Sequence, residues 1–327
     1  MQGPRTTMHL SSSQNANGAP GLEELIREVS NWNRWGPNDQ LGTINTITPE
    51  KVLQASKLVR AGRSISLAIP LSGSGPMDSR SRLARFNPIR SMLLTGTDLG
   101  VYPPEFSYAD DIVTMPLQCA THWDALAHVF HRGVMYNGHP ASLVSSAGAQ
   151  VNGIEHLSGR LVSRGILLDI PRFRGVDRVE PEEPIFSDEL EAIALSHGIE
   201  VGAGDVLLVR TGSMAKYLQR GDWTGYVLEN SPGLSHTTVR WLRGRDVAAV
   251  ASDTRAVEVL PSDLIGTPVA FHILAIVHMG LLLGEMFNLE ELAEACAELQ
   301  RWEFLLVAQP LPFANAVGGP VNPSAIL

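Results

Sequence analysis

The chain alternates between short apolar runs and polar segments rich in glycine and proline, a pattern that predicts both strands and helices. Runs rich in apolar and β-branched residues predict strands at 64–71, 111–118, 161–170, 205–210, 247–251 and 304–309. Apolar positions at helical spacing predict helices near 187–197, 235–243, 268–279 and 288–300. Because the two kinds of element do not alternate strictly, we expect an irregular α/β fold.

Two predicted helices carry clear start signals. Thr48 is a cap residue followed by Pro49 at the first helical position, and Gly62 can stop the helix that they open. Asn288 is the expected cap of the helix near 288–300, with Glu291 three residues further on. We therefore expect both helices to begin at these residues.

Composition indicates one large domain after a polar leader. Residues 1–20 are rich in Ser, Asn, Gly and Gln, which predicts a disordered segment. The whole chain has 327 residues, of which 44% are hydrophobic and 18% charged, so it can bury a large core. Since no repeat or linker interrupts the remainder, we expect residues 21–327 to form a single catalytic domain.

Charge and cysteine content exclude several classes of protein. A net charge of −9 and a pI near 5.6 argue against nucleic-acid or membrane partners, which need clustered Lys and Arg. The sequence has no apolar core of a signal peptide and no run with the length of a membrane span, so we expect a cytoplasmic protein. Only Cys119 and Cys296 are present, which supports neither a disulfide framework nor a zinc ribbon.

The segment 118–131 holds the strongest chemical signal, because His122, Asp124 and His128 lie within seven residues of one another. The run 111–118 predicts a strand entering it, and in a strand His122 and Asp124 point the same way. If the chain then turns helical, Asp124 and His128 share a face as well. Histidines also occur as satisfied core residues and aspartates as caps, but three such groups on compatible faces favour a Zn²⁺ or Mn²⁺ site.

This segment resembles the signature of the cyclase family of metal-dependent hydrolases, which includes bacterial kynurenine formamidase and isatin hydrolase. The signature is His-x-Gly-Thr-His-x-Asp-x-x-x-His, and the matching positions are Thr121, His122, Asp124 and His128. Gln118 replaces the first histidine and Ala120 the glycine. Since Gln118 offers a weaker, neutral oxygen ligand, a single metal ion is favoured over two.

The resemblance extends from about residue 30 to residue 327. It includes the segments 35–45, 136–139, 164–169, 252–258 and 272–312. It implies a swivelling β/β/α fold with a small barrel-like sheet flanked by helices. It also implies that His272 and Glu285 complete or flank the metal centre.

The expected chemistry is metal-assisted hydrolysis of an amide-like C–N bond, and the resemblance implies an aryl formamide or a cyclic amide as the substrate. A Zn²⁺ or Mn²⁺ ion held by His122 and Asp124, with Gln118, His272 and Glu285 as further ligands, would activate a water molecule. His128 is the expected proton shuttle, because its ordinary pKa lies near neutrality. His278 lies on another face of the same predicted helix as His272 and is expected to be structural.

Three further residues are candidates for the substrate pocket. His139 and Trp123 lie near the metal-binding motif, although a Trp beside a strand end is equally typical of a core. Asp253 and Glu258 follow the predicted strand 247–251, where catalytic groups often collect, but turn and ion-pair roles explain them equally well. We include Asp253 among the pocket candidates.

Two other functions fit the same residues. A lyase or cyclase would use the metal to stabilise an enolate, and a small-molecule binder would result if Gln118 has abolished the metal site. The small-molecule ligand is the expected partner in each case. The apolar run 310–321 should pack on the core or on a second subunit, and the family favours a homodimer or homotetramer.

Overall fold

The computed structural model of the protein describes residues 20–81, 84–96 and 106–327. The predicted disordered leader at residues 1–20 lies outside this part of the chain, apart from Pro20. No helix among the described residues has both the length and the apolar character needed to cross a membrane.

The elements follow the mixed order that the sequence predicts. The α-helices are α1 (Leu22–Val29), α2 (Pro49–Ser56), α3 (Ile170–Arg174), α4 (Ser187–Ser196), α5 (Ala215–Arg220), α6 (Val239–Gly244), α7 (Ala270–His272) and α8 (Glu290–Leu299). The helix α7 continues directly into a π-helix, Ile273–Met279. The strands are β1 (Ser64–Ser66), β2 (Ile89–Leu94), β3 (Asp110–Thr114), β4 (His122–Asp124), β5 (Val144–Ser145), β6 (Gly148–Ala149), β7 (Val162–Asp169), β8 (Pro184–Ile185), β9 (Val206–Arg210), β10 (Gly233–Leu234), β11 (Ala249–Ser252), β12 (Leu282–Glu285), β13 (Glu303–Val307), β14 (Gly318–Pro320) and β15 (Ser324–Ile326).

Nine strands form the main sheet, in the order β1-β15-β13-β7-β9-β11-β12-β4-β14. The four neighbours β7, β9, β11 and β12 pair in parallel, and the strands on either side of them pair antiparallel. Every residue of β9 and β11 is buried. Such uniformly apolar strands are typical of parallel sheets that are covered on both faces.

The sheet curls strongly, as its two ends show. The strand β14 is at one end of the order and β15 is the second strand from the other end, yet only residues 321–323 separate them in the chain. The short connection is held by bonds to both ends of the sheet, with Val321 donating to the Thr121 carbonyl and Leu67 donating to that of Pro323. The expected barrel-like sheet flanked by helices is therefore confirmed.

Local signals placed some helix ends correctly. The helix α2 begins at Pro49, and the Thr48 side chain accepts a hydrogen bond from the Lys51 N–H at 3.2 Å. The helix α8 begins at Glu290, two residues after the predicted cap, although Asn288 Oδ1 still accepts from the Glu290 N–H. Gly280 ends the π-helix in the left-handed region at φ 68°, where a Cβ would collide with the ring of Tyr136.

The strand predicted at 111–118 is shorter than expected and lies outside the main sheet. The strand β3 ends at Thr114 and pairs only with β2, in a separate hairpin whose β3 residues are all exposed. It does not enter the metal-binding motif as a strand, since residues 115–121 lie between β3 and β4. Pro116 explains the end of the strand, because proline cannot donate to a ladder.

Candidate metal centre

The site forms where β4 lies between two antiparallel neighbours. His122 of β4 is directly opposite Glu285 of β12 and Pro320 of β14. Alternation along the strand puts His122 and Asp124 on one face, as the sequence predicts. One ligand atom each from His122, Asp124 and Glu285 lie within 4.8 Å of one another.

The donor atoms of this cluster are buried and lack ordinary partners. His122 Nε2 lies 3.4 Å from Asp124 Oδ1 and 3.5 Å from Glu285 Oε2. Neither His122 Nε2 nor either carboxylate oxygen of Asp124 has a hydrogen-bond partner among the described residues. Unpaired buried polar atoms are costly, and a divalent cation between them would remove that cost. The residues present therefore fit a metal ion.

The tautomer of His122 suits metal ligation. Its Nδ1 lies 2.7 Å from the carbonyl of Ala120, so Nδ1 carries the proton and donates it. The lone pair of Nε2 is then directed to the carboxylates. Although burial alone would lower it, the pKa of His122 is raised because Asp124 and Glu285 face the ring. A cation in the site would replace that proton.

His128 reaches the cluster by a turn and not by the helix that we expected. Its N–H donates to the Ala125 carbonyl, and no helix follows β4. Its Nε2 nevertheless lies 3.6 Å from Asp124 Oδ1, and its side chain is 23% exposed while that of Asp124 is 1% exposed. Burial lowers the pKa of His128, which keeps the ring neutral near pH 7 and able to accept a proton.

His272 of α7 and Glu285 of β12 lie in the same cluster. His272 Nε2 lies 3.2 Å from Glu285 Oε1 and 3.8 Å from Asp124 Oδ2. Its Nδ1 is hydrogen-bonded to Glu258, which also accepts the backbone N–H groups of Phe271 and His272. Glu258 thus fixes the orientation of the imidazole, in the way that carboxylates support metal-bound histidines.

Gln118 lies beside the cluster, at the edge formed by β14. A Cβ on Gly318 would approach Gln118 Nε2 to 2.6 Å, and Gly318 is paired with Asp124. Glycine at this position therefore leaves the room that the amide occupies. Whether Gln118 ligates the metal stays a prediction.

Two of the three predicted pocket residues, Trp123 and Asp253, have partners of their own that do not belong to the cluster. Trp123 is fully buried on the opposite face of β4, where its indole N–H donates to the Ala308 carbonyl and its ring packs against Phe287. We therefore assign Trp123 to the core. Asp253 is buried and accepts the N–H and hydroxyl of Thr211, and burial raises the pKa of its carboxyl group.

His139 follows the 3-10 turn Tyr136–Gly138, and its carbonyl accepts the N–H of Met135. Its Nε2 is buried and has no hydrogen-bond partner in the described part of the chain. A role for His139 in substrate binding stays a prediction.

Sequence reasoning missed two arginines near the cluster. Arg85 Nη1 donates to the Gln118 carbonyl at 3.4 Å. Arg255 follows Thr254, whose carbonyl accepts the N–H of Met286. Arg255 therefore lies close to the end of β12, where Glu285 is located. Burial lowers the pKa of Arg255, and its Nε has no partner among the described residues. A single basic residue has no characteristic spacing, so the sequence offered no signal for either.

Comparisons with known proteins show the family to which the chain belongs. The family model Cyclase, described as "Putative cyclase", matches residues 49–259. A crystal structure of a novel cyclase is 35% identical, with a TM-score of 0.83, covering 92% of this chain and 99% of that chain. The chain belongs to the cyclase family. The resemblance found in the sequence is therefore confirmed.

More distant cyclase-family structures share the fold. Isatin hydrolase A from Labrenzia aggregata is 16% identical with a TM-score of 0.58, covering 80% of this chain and 93% of that chain. Isatin hydrolase A from Ralstonia solanacearum is 18% identical with a TM-score of 0.59, covering 84% and 95%. At this level of identity the likeness shows the fold alone. The search of curated proteins found no match.

Proposed function

We propose that the protein is a metal-dependent hydrolase that cleaves an amide-like C–N bond in a small substrate, with Zn²⁺ or Mn²⁺ as its cofactor. The observation that carries this proposal is the convergence of His122, Asp124 and Glu285 in a buried site with unpartnered donor atoms. His272 and Gln118 are the further ligands that we propose. When bound, the ion would polarise a carbonyl group and lower the pKa of a water molecule.

The remaining residues of the site have distinct tasks. Glu258 holds His272 through Nδ1, and the Ala120 carbonyl holds His122 in the same way, so both rings are fixed before substrate arrives. His128 is neutral and partly exposed, which suits it to accept a proton from the attacking water. It can then return that proton to the leaving nitrogen, a role worth about 10²–10⁴-fold in rate.

The substrate class is supported by the family. The isatin hydrolases, which share the fold, act on isatin by their names. An aryl formamide or a cyclic amide therefore remains the class that we propose. Both have a carbonyl carbon bonded to nitrogen, which is the group that a metal-activated water attacks.

The decisive experiment combines metal analysis with product labelling. Plasma emission spectrometry of the purified protein should find close to one Zn²⁺ or Mn²⁺ per chain. Asp124→Ala should lose both the metal and turnover, and Asp222→Ala, at an exposed position, serves as the control. Turnover of formanilide or isatin in ¹⁸O-labelled water should place the label in the product.

Two outcomes would contradict this proposal. Absence of a transition metal, together with no thermal shift on adding either ion, would remove the metal centre. A product without solvent oxygen would indicate lyase or cyclase chemistry at the same residues.

We also propose that the protein forms a homodimer or homotetramer. The β2–β3 hairpin exposes apolar side chains along both strands, namely Ile89, Met92, Leu93, Ile112 and Val113. The strand β14 is buried against β4, but Leu311 and Phe313 before it are exposed. Exposed apolar surface of this extent favours association. Light scattering that gives a monomeric mass for the active protein at micromolar concentration would contradict the proposal.

A further inference from the structure

A wide cleft is connected to the metal-binding motif through one of its lining residues, Arg85, which contacts Gln118. It has a volume of about 1070 Å³, and its walls are the segment after β1 and the β2–β3 hairpin. Ile69 at the start of one wall donates its N–H to Thr121 Oγ1, which ties that wall to the residue before His122. The walls combine apolar side chains, such as Leu71, Met77 and Phe86, with polar and charged ones. The cleft therefore suits a small molecule that has both an apolar body and a polar group.

Arg85 is the connection between the cleft and the metal centre. It lines the cleft, and its Nη1 donates to the backbone carbonyl of Gln118, four residues before His122. It is also close enough to His128 that its charge acts on that ring. A group bound at Arg85 would thus lie next to the proposed catalytic residues.

The guanidinium of Arg85 has unused binding capacity. The other cation of the cleft, Arg90, lies 3.5 Å from Asp111. Arg85, in contrast, has no carboxylate within 4.0 Å among the described residues, and its bond to Gln118 is long at 3.4 Å. A guanidinium offers five donors in a planar arrangement that matches a carboxylate. Among the described residues, the bond to Gln118 is the one hydrogen bond that this guanidinium makes.

We propose that Arg85 binds an anionic group of the substrate, a carboxylate on a small apolar body, while the scissile bond lies at the metal centre. This inference rests on the proposed function and narrows the substrate to an acid. The paired hydrogen bonds of a guanidinium–carboxylate contact would fix the orientation of the substrate. The partial burial of Arg85 would strengthen them relative to water.

Arg255 is less suited to this role. The space that it lines has a volume of about 30 Å³, which is enough for water but not for a substrate. Its Nη2 also points to the Glu229 carbonyl, at 3.5 Å. The cleft at Arg85 is the larger space, and we therefore assign anion binding to Arg85.

Binding of a matched pair of probes tests the inference without requiring turnover. Benzenesulfonate carries an anion that is a poor metal ligand, and methyl phenyl sulfone is its neutral counterpart. Isothermal titration of metal-loaded and metal-free protein should show that Arg85→Gln weakens benzenesulfonate binding by about 10- to 100-fold. Binding of methyl phenyl sulfone should be unchanged within about twofold.

Two variants serve as controls. Arg90→Gln removes a charge from the same cleft and should leave the affinity for benzenesulfonate within about twofold of wild type. Arg85→Lys keeps the charge but loses the planar pair of donors, so its affinity should be intermediate. Equal losses in Arg85→Gln and Arg90→Gln would overturn the inference, because the effect would then be a general one of charge.

Kinetics separate this inference from the proposed function. Formanilides with and without a ring carboxylate form the second pair, and Arg85→Gln should raise KM about 10- to 100-fold for the acid alone. If neither compound is turned over but the difference in probe binding persists, the hydrolase proposal fails and the anion site stands. If both are turned over and Arg85→Gln affects them equally, the anion site is wrong.

Discussion

His272 and His278 lie six residues apart on one helical segment, and the structure gives them opposite properties. Each is 6% exposed, so burial alone does not distinguish them. His272 lies among carboxylates, and although burial opposes it, the hydrogen bonds to Glu258 and Glu285 raise its pKa. Burial lowers the pKa of His278 to about 4, and the neighbouring His131 adds to this effect.

The contacts of the two rings explain the difference. His278 stacks on Trp32 at a centroid distance of 5.4 Å, and its Nε2 lies 3.0 Å from His131 Nδ1. Neither contact includes a carboxylate, so no ion pair offsets the loss of hydration of the His278 ring. The acidic partners, and not the depth of burial, therefore distinguish the histidine of the candidate metal centre from the other one.

Substitution of each of the two histidines should produce the largest difference, in metal content and in turnover. His272→Asn should reduce the metal content well below one ion per chain and turnover to background, because it removes a proposed ligand. His278→Asn is the matched control and should retain both. Emission spectrometry and formanilide turnover check this. Equal metal loss in the two variants would show that the helix only supports the fold.

Substitution of His128 should separate metal binding, the proposed role of His272, from proton transfer. His128→Ala should keep the metal and lose about 10²–10⁴-fold in turnover, since a general acid–base group contributes that much. Metal analysis and kcat measured on the same preparation test both parts. If the variant folds but no longer holds metal, His128 is a ligand and not a proton shuttle.

Substitution of Glu258, which is hydrogen-bonded to His272, should have a smaller effect. Glu258→Gln keeps a hydrogen-bonding oxygen but removes the charge, so the ring remains in place and becomes a weaker ligand. We expect metal affinity to fall by about 10- to 100-fold. Competition with a chelator measures this affinity independently of turnover. Glu155→Gln is the control. An unchanged metal affinity in Glu258→Gln would show that Glu258 only accepts hydrogen bonds at the start of the helix and does not support the ligand.

The smallest effect concerns His278 and pH. Its pKa is about 4 in the folded protein and near 6.5 in the unfolded chain, so only the unfolded chain gains its proton between these values. The free energy of unfolding should therefore fall as pH decreases from about 6.5 to about 4, by at most about 1.4 kcal/mol per pH unit. Urea denaturation should show a shallower fall for His278→Asn. Parallel curves for the two proteins would contradict this account.

Much of the candidate site could be predicted because it depends on local patterns. Alternation placed His122 and Asp124 on one face, and the helical segment predicted near 268–279 does end at Met279. Family resemblance supplied Glu285, which does lie on the next strand.

The remainder depends on distant contacts that no spacing encodes. His128 approaches Asp124 through a turn, and Arg85 comes from a segment before the hairpin. The strand β3 carries a β-branched pattern like that of a core strand, yet it lies in an exposed hairpin. Only the tertiary arrangement decides such cases, as it does for the burial of Trp123 behind the site.

The position of β4 between β12 and β14 has a consequence for biosynthesis. The ribosome synthesises the residues of β4 early, but both neighbouring strands come much later, and Thr121 bonds to Met286 across 165 positions. A nascent chain that exposes His122 and Asp124 therefore lacks the two flanking strands of β4 until residues 282–285 and 318–320 have emerged. Contacts of such sequence separation form slowly. Metal insertion should consequently be one of the last events in the maturation of each molecule, after translation of the sheet is complete.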